Sequence, residues 1–188
     1  MYKICHTEES TRRQRALERG LLEAMGRQPY QQITLVSLCQ QLDVPRKTFY
    51  KYFPTKQDCL LALMDHMLFD CNQVALAGWN GGRTLDSHAQ LRFFQYWKEN
   101  SDFLDAIRDN GLQPLLLERT TLLVDRMKEA NSSQSFAAEQ VEYFIAYGLM
   151  ATMLRWHQHG FQSTPEEMAG VFEELLNAAQ VSLSRLLL

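Results

Sequence analysis

The chain predicts an all-α fold, in which a small three-helix head is joined through a fourth helix to a larger helical body. Three observations carry that expectation. Apolar residues recur at helical spacing along nearly all 188 residues, with no strand-like alternation. The breaks between periodic segments fall at residues that end or start helices, such as Pro29, Asp43, Pro45 and Asn110-Gly111. Charge is also divided: residues 1–60 hold ten Lys or Arg against six Asp or Glu, net +4, whereas 61–188 hold nine against sixteen, net −7. A basic module thus precedes an acidic body.

The elements follow in order. A first helix is expected over 8–27, with Leu17, Gly20, Leu21, Ala24 and Met25 on one face and arginines on the others. Pro29 ends it by removing a backbone donor and biasing Gln28 away from helical angles. Thr34 suits the N-cap of a short helix over 35–42 whose inner stripe is Leu35, Leu38, Cys39 and Leu42. A tight turn follows, since Asp43 tolerates a left-handed conformation and Pro45 suits the first position of a third helix over 45–52. Thr55 and Asp58 form a box-like start for a long fourth helix to residue 77. Three glycines in five positions make "GWNGGRTLDS" (78–87) a linker. Helices are then expected over 86–100, 102–109, 112–130, 135–159 and 165–187. The domain boundaries drawn are 1–56 for the head and 57–188 for the body, with the fourth helix (55–77) linking them.

Composition excludes several classes. Apolar residues at 46% and charged residues at 22% suit a chain with a packed core. The four cysteines lack C-x-x-C spacing and read as buried reduced thiols. The N-terminus lacks the layout of a secretory signal, and no apolar run nears the ~20 residues that span a bilayer, so a cytoplasmic location off the membrane is expected. There is no Gly-rich phosphate loop, nucleophile elbow or H-E-x-x-H, so neither enzyme activity nor a cofactor is expected. His157 and His159 sit at i and i+2 on a helix and face apart, which suits a wet helix end rather than a metal site.

The stretch "LDVPRKTFYKYFPTK" (42–56) packs four cations and four aromatic rings into fifteen positions. Two short helices around a turn, braced by a preceding helix, make a helix-turn-helix, whose second helix enters the DNA major groove. Arg46, Lys47, Thr48 and Lys51 supply outward donors, while Val44, Phe49 and Phe53 supply inward anchors. A merely solvated surface would leave the same rings in the core and scatter the cations. The turn, the Thr cap and the net charge of the head together favour DNA.

Residues 33–64, "ITLVSLCQQLDVPRKTFYKYFPTKQDCLLALM", closely resemble the signature of TetR-family transcriptional regulators, and the upstream helix "LERGLLEAMGRQPY" fits the same family. The resemblance implies a homodimer that binds a palindromic operator in double-stranded DNA as a repressor and is released by a small-molecule effector. It implies phosphate contacts from Thr34, Tyr50 and Lys56, and base or groove contacts from Arg46, Lys47, Thr48 and Tyr52, which the outward donor Lys51 joins on the same face. Asp43 stands where the family usually has Gly, Pro45 where a phosphate-binding Ser is common, and Lys47 where Gly is frequent. Operator sequence is therefore not transferable from relatives.

In the body, the resemblance implies a dimer seam made by the last two helices. Gly148 and Ala151 would allow close approach there, with Leu175, Leu176, Ala179 and Leu183 as a second row. An effector pocket is suggested by the ring density of Phe93, Tyr96, Trp97 and Phe103. Tyr143, Phe144, Tyr147 and Met150 would complete its walls. Two alternatives stay open: a TetR-fold activator or partner-dependent regulator, and a small helical enzyme or carrier that uses only the body.

Overall fold

The periodic segments fold as helices throughout the described residues, which are 2, 5, 7–77, 87–129 and 136–186 of a computed structural model. Side chains in the last two stretches are described over 88–127 and 140–176. Among these residues there are nine α-helices and no strand: α1 (Glu8–Met25), α2 (Leu35–Gln41), α3 (Arg46–Tyr52), α4 (Lys56–Leu76), α5 (Ser87–Glu99), α6 (Ser101–Asp109), α7 (Gln113–Glu129), α8 (Phe136–Gln158) and α9 (Pro165–Leu186). Their ends agree with the sequence expectation to within two residues. The expected linker over 78–87 and the break over 131–135 lie almost wholly outside the described residues.

Packing groups the chain into two units that interleave in sequence. The first joins residues 1–68 to 102–130; the second joins 69–101 to 131–188. This grouping differs from a boundary at residue 56, because α6 and α7 belong with the head and the unit boundary falls inside α4.

In the first unit, Leu17, Leu21, Ile33, Leu38, Phe49, Phe53, Leu60 and Met64 form the core of the head. Burying a side chain of this size stabilises by about 1.5–3 kcal/mol before entropy is counted. Gly20 marks a close approach: a Cβ there would lie 2.2 Å from Leu42 Cδ2, so the Leu42 side chain would have to move. Buried Asp65 on α4 takes Nε and Nη2 of Arg119 on α7 at 2.6 and 2.5 Å, and the Tyr2 hydroxyl at 2.6 Å. Buried Glu18 on α1 meets His66 Nδ1 at 2.8 Å. These long-range polar pairs tie α1, α4 and α7 together.

In the second unit, α5 packs on α8 and α9. Phe94 meets Trp156 edge-on, and Trp156 meets Phe161 edge-on at 4.6 Å between centroids. Helix α8 ends in a Schellman motif: Phe161 N–H donates to Trp156 O and Gly160 N–H to His157 O, with φ +68° at Gly160. Phe161 itself has φ +55°, a rare state for a ring-bearing residue, held by its stacking on Trp156 and His157. His157 is therefore buried beneath that ring, which corrects the expectation of a wet helix end; His159 is exposed. The Arg92 guanidinium donates to Val74 O and Ala75 O and so caps the end of α4. Cys39, Cys59 and Cys71 are buried as free thiols, and burial pushes the Cys59 thiol up.

Candidate nucleic-acid interface

Each helix of the head is placed by local chemistry. Thr34 caps α2, accepting Ser37 N–H at 3.0 Å, while Ser37 Oγ accepts Thr34 N–H at 3.2 Å, so both side chains reciprocate. The turn after α2 is a Schellman motif in which Val44 N–H reaches Cys39 O and Asp43 N–H reaches Gln40 O. Asp43 occupies the left-handed position at φ +50°, as its short polar side chain permits. Pro45 is the N-cap of α3 rather than its first residue, with φ −61° and no side-chain cap bond. The fourth helix starts on the expected box, Asp58 N–H donating to Thr55 Oγ1 at 3.1 Å.

Helix α3 then divides by face. Phe49 and Phe53 are fully buried, their ring centroids 5.4 Å apart. Arg46, Lys47, Tyr50 and Lys51 are exposed, and Thr48 is half-buried. Arg46 Nη2 donates to the Tyr50 hydroxyl at 3.4 Å and its guanidinium lies 5.9 Å from that ring's centroid, so the two outward groups are ordered together. Among the described residues no carboxylate pairs with Arg46, Lys47 or Lys51. The row is cationic, hydrogen-bonding and uncompensated, as an anion-binding face must be.

Two sequence-predicted positions stand differently. Tyr52 is 1% exposed and packs beside Phe53, which corrects its assignment to the groove: the ring is core, with Lys51 lying over it. Lys56 is partly buried, and its ammonium donates to Tyr30 O and Ile33 O at 2.6 Å each while sitting 4.1 Å from the Tyr30 ring centroid. Two of its three N–H groups thus serve the α1–α2 connector, where residues Tyr30–Gln32 form a 3₁₀ turn absent from the sequence expectation.

The predicted effector residues scatter. Phe93, Trp97 and Met150 are buried in the second unit, Tyr96 and Tyr143 are half-buried, and Phe103 is buried in the first unit. Phe144 is 65% exposed and Tyr147 also lies on the surface, so neither is placed as the wall of a cavity within the monomer. An open groove of about 470 Å³ lies instead between the end of α8 and the start of α9, against Ala151, Arg155, Trp156, His159 and Met168. Of the predicted seam, Ala151 and Leu175 are exposed and Leu176 is half-buried, whereas a Cβ at Gly148 would meet the monomer's own Phe172 ring at 3.5 Å. The side chains of Ala179 and Leu183 lie outside the described residues. Among the described residues no helix is long and apolar enough to cross a membrane, and no group of three His, Cys, Asp or Glu could hold a metal.

A braced helix-turn-helix with a cationic outer row, carried on an otherwise helical chain, defines a class of DNA-binding transcriptional regulators. Residues 87–178 match the family described as "Transcriptional regulator C-terminal region", of TetR type, and the chain shares its fold with TetR-family transcriptional regulators. Solved structures share the fold. The dihydroxyacetone kinase operon activator DhaS aligns with a TM-score of 0.58 at 19% identity, over 91% of this chain and 97% of that one. A TetR-family regulator from Streptomyces coelicolor aligns at 0.55 and 17%, over 95% and 85%. The Thermus thermophilus repressor FadR, in complex with lauroyl-CoA, aligns at 0.52 and 18%, over 87% and 92%. No curated protein matches the chain in sequence.

Proposed function

We propose that the chain is a homodimeric repressor that binds a palindromic operator and is released by a small-molecule effector. The observation that carries the DNA-binding part is the outward row Arg46, Lys47, Tyr50 and Lys51, free of carboxylates, above the buried Phe49 and Phe53. In this reading Arg46, Lys47, Thr48 and Lys51 read bases or groove, while Thr34, Tyr50 and the remaining N–H of Lys56 hold phosphate. Two heads would meet half-sites about 34 Å apart, one turn of the duplex.

Self-association is supported by a second exposed surface. Val141, Phe144 and Tyr147 on α8 and Val171 and Leu175 on α9 are exposed. Five large apolar side chains on two neighbouring helices suit burial against a second copy. An effector is supported by the family and by the acyl-CoA that FadR holds in the same fold. The sign of regulation does not follow from fold, since one neighbour is an activator and another a repressor. Activation is thus the second reading.

Binding to the DNA upstream of the protein's own gene, measured at two salt concentrations, tests the proposal. Specific binding with a steep salt slope is expected. Absence of binding to any genomic fragment at low salt would sink it. A reporter fused to the selected operator then separates repression from activation.

A further inference from the structure

We propose that Asn110, in the turn between α6 and α7, is a positioning residue for DNA binding: it holds the α1–α2 connector that leads into Thr34 and that the Lys56 ammonium, from the start of α4, binds. The inference rests on the DNA-binding reading above and deepens it.

Asn110 stands at the end of α6, where Leu112 N–H donates to Ile107 O and Gly111 N–H to Arg108 O, with φ +64° at Gly111. This Schellman closure fixes the Asn110 backbone. Its amide then works in two directions. Nδ2 donates to Ala106 O at 2.8 Å and anchors the group on α6, while Oδ1 accepts Tyr30 N–H at 2.5 Å, eighty residues away in sequence. Tyr30 opens the 3₁₀ turn, so its N–H has no partner within that turn and would otherwise be a partly buried donor without an acceptor.

The same residue is held from its other side. Tyr30 O and Ile33 O both accept Lys56 Nζ, and the ammonium rests on the Tyr30 ring. That ring is half-buried, and burial pushes its phenol up to about 12, so it stays neutral beside the ammonium. Ile33 leads directly into Thr34, the N-cap of α2. Residue 30 is therefore clamped by Asn110 at its N–H and by Lys56 at its carbonyl, and both candidate phosphate groups depend on one short connector. The amide of residue 110 donates to α6 and accepts from the connector at once, whereas a carboxylate there keeps only the acceptor.

The test compares Asn110→Ala, Asn110→Asp and Val124→Ala with the wild-type chain. Val124→Ala trims the core of α7 without touching the connector and controls for lost stability. Two quantities are read: affinity for a short random-sequence duplex over a salt series, and hydrogen exchange at the Tyr30 amide. Asn110→Ala is expected to speed Tyr30 exchange, weaken binding about fivefold and make the salt slope shallower by about one. Val124→Ala is expected to leave both readouts as in the wild type, and Asn110→Asp, which keeps an acceptor, to restore Tyr30 protection. Unchanged duplex affinity in Asn110→Ala beside a wild type that binds overturns the inference alone, as does unchanged Tyr30 exchange or an equal loss of affinity in Val124→Ala. A wild type that binds no duplex at low salt overturns the DNA-binding reading and this inference with it.

Discussion

Helices α3 and α8 are both dense in aromatic residues, yet they treat their outward faces in opposite ways. On α3 the rings of Phe49 and Tyr52 are in the core, and the surface carries Arg46, Lys47 and Lys51 with one ring, Tyr50, whose hydroxyl accepts from Arg46. On α8 the ring of Trp156 is in the core, but Phe144 and Tyr147 remain outside with Val141. Among the described residues both faces are open to solvent. A cationic face is completed by an anion whose phosphates it neutralises, and an apolar face by another apolar surface that leaves water with it. Aromatic density alone therefore does not name a site; which residues share the outward face does.

Two phenylalanines break or sharpen this contrast most strongly. Phe49→Ala removes a fully buried ring from the head and is expected to cost about 3–5 kcal/mol, read by denaturant unfolding. The equivalent truncation at Phe144, already exposed, is expected to change monomer stability by less than about 0.5 kcal/mol. A similar loss at both positions would show that the outward face of α8 is covered within the monomer, and the contrast would fall.

Next in size is the association that the exposed face would mediate. Phe144→Asp places a charge in the middle of the Val141, Phe144, Tyr147 and Leu175 surface and is expected to weaken self-association by about a hundredfold, a hot-spot effect. Sedimentation over a concentration series reads it directly. Because two heads must reach two half-sites, operator affinity should fall with it while the head remains folded. Unchanged association would remove α8 and α9 as the seam.

Much of this was legible in sequence, for physical reasons that differ by site. The N-cap at Thr34, the left-handed Asp43 and the start of α4 at Thr55 are local chemistry, decided within four residues, and each is found as expected. Helical spacing also separated Phe49 and Phe53 from Arg46, Lys47 and Lys51. Long-range pairings carry no such signal. Nothing near Asn110 announces Tyr30, and nothing near Asp65 announces Arg119 and Tyr2. Tyr52 was misread because a seven-residue helix exposes little more than one face, and three positions after Phe49 its ring turns back inward. His157 was misread for a similar reason: a Schellman turn folds Phe161 back over it. The predicted effector rings failed to converge because ring density in a helical body is satisfied first by packing, as with Trp97 and Phe103.

A smaller effect falls on sequence reading by the cationic face. Lys47 is exposed and has no partner among the described residues. Lys47→Ala is expected to change affinity for random duplex by less than about threefold, and to relax preference at one operator position by about tenfold. Operator selection with each protein reads the difference. A uniform loss across all sequences would move Lys47 to the phosphate contacts.

The smallest expected effect separates the two tyrosines of α3. Tyr50 is 48% exposed, with its hydroxyl beside the Arg46 guanidinium on the outer row, whereas Tyr52 is enclosed by the core. Removing one hydroxyl keeps each ring and its packing, so the pair isolates the polar group. Tyr50→Phe is expected to weaken duplex binding about threefold, since a net hydrogen bond is worth about 1 kcal/mol and this one is shared with Arg46. Tyr52→Phe is expected to leave affinity and operator preference unchanged, its influence confined to stability. Affinity measured over a salt series distinguishes the two. A loss at Tyr52 matching that at Tyr50 would place the inner ring in contact with DNA and require α3 to roll on binding, exposing a side of the helix that packing now closes.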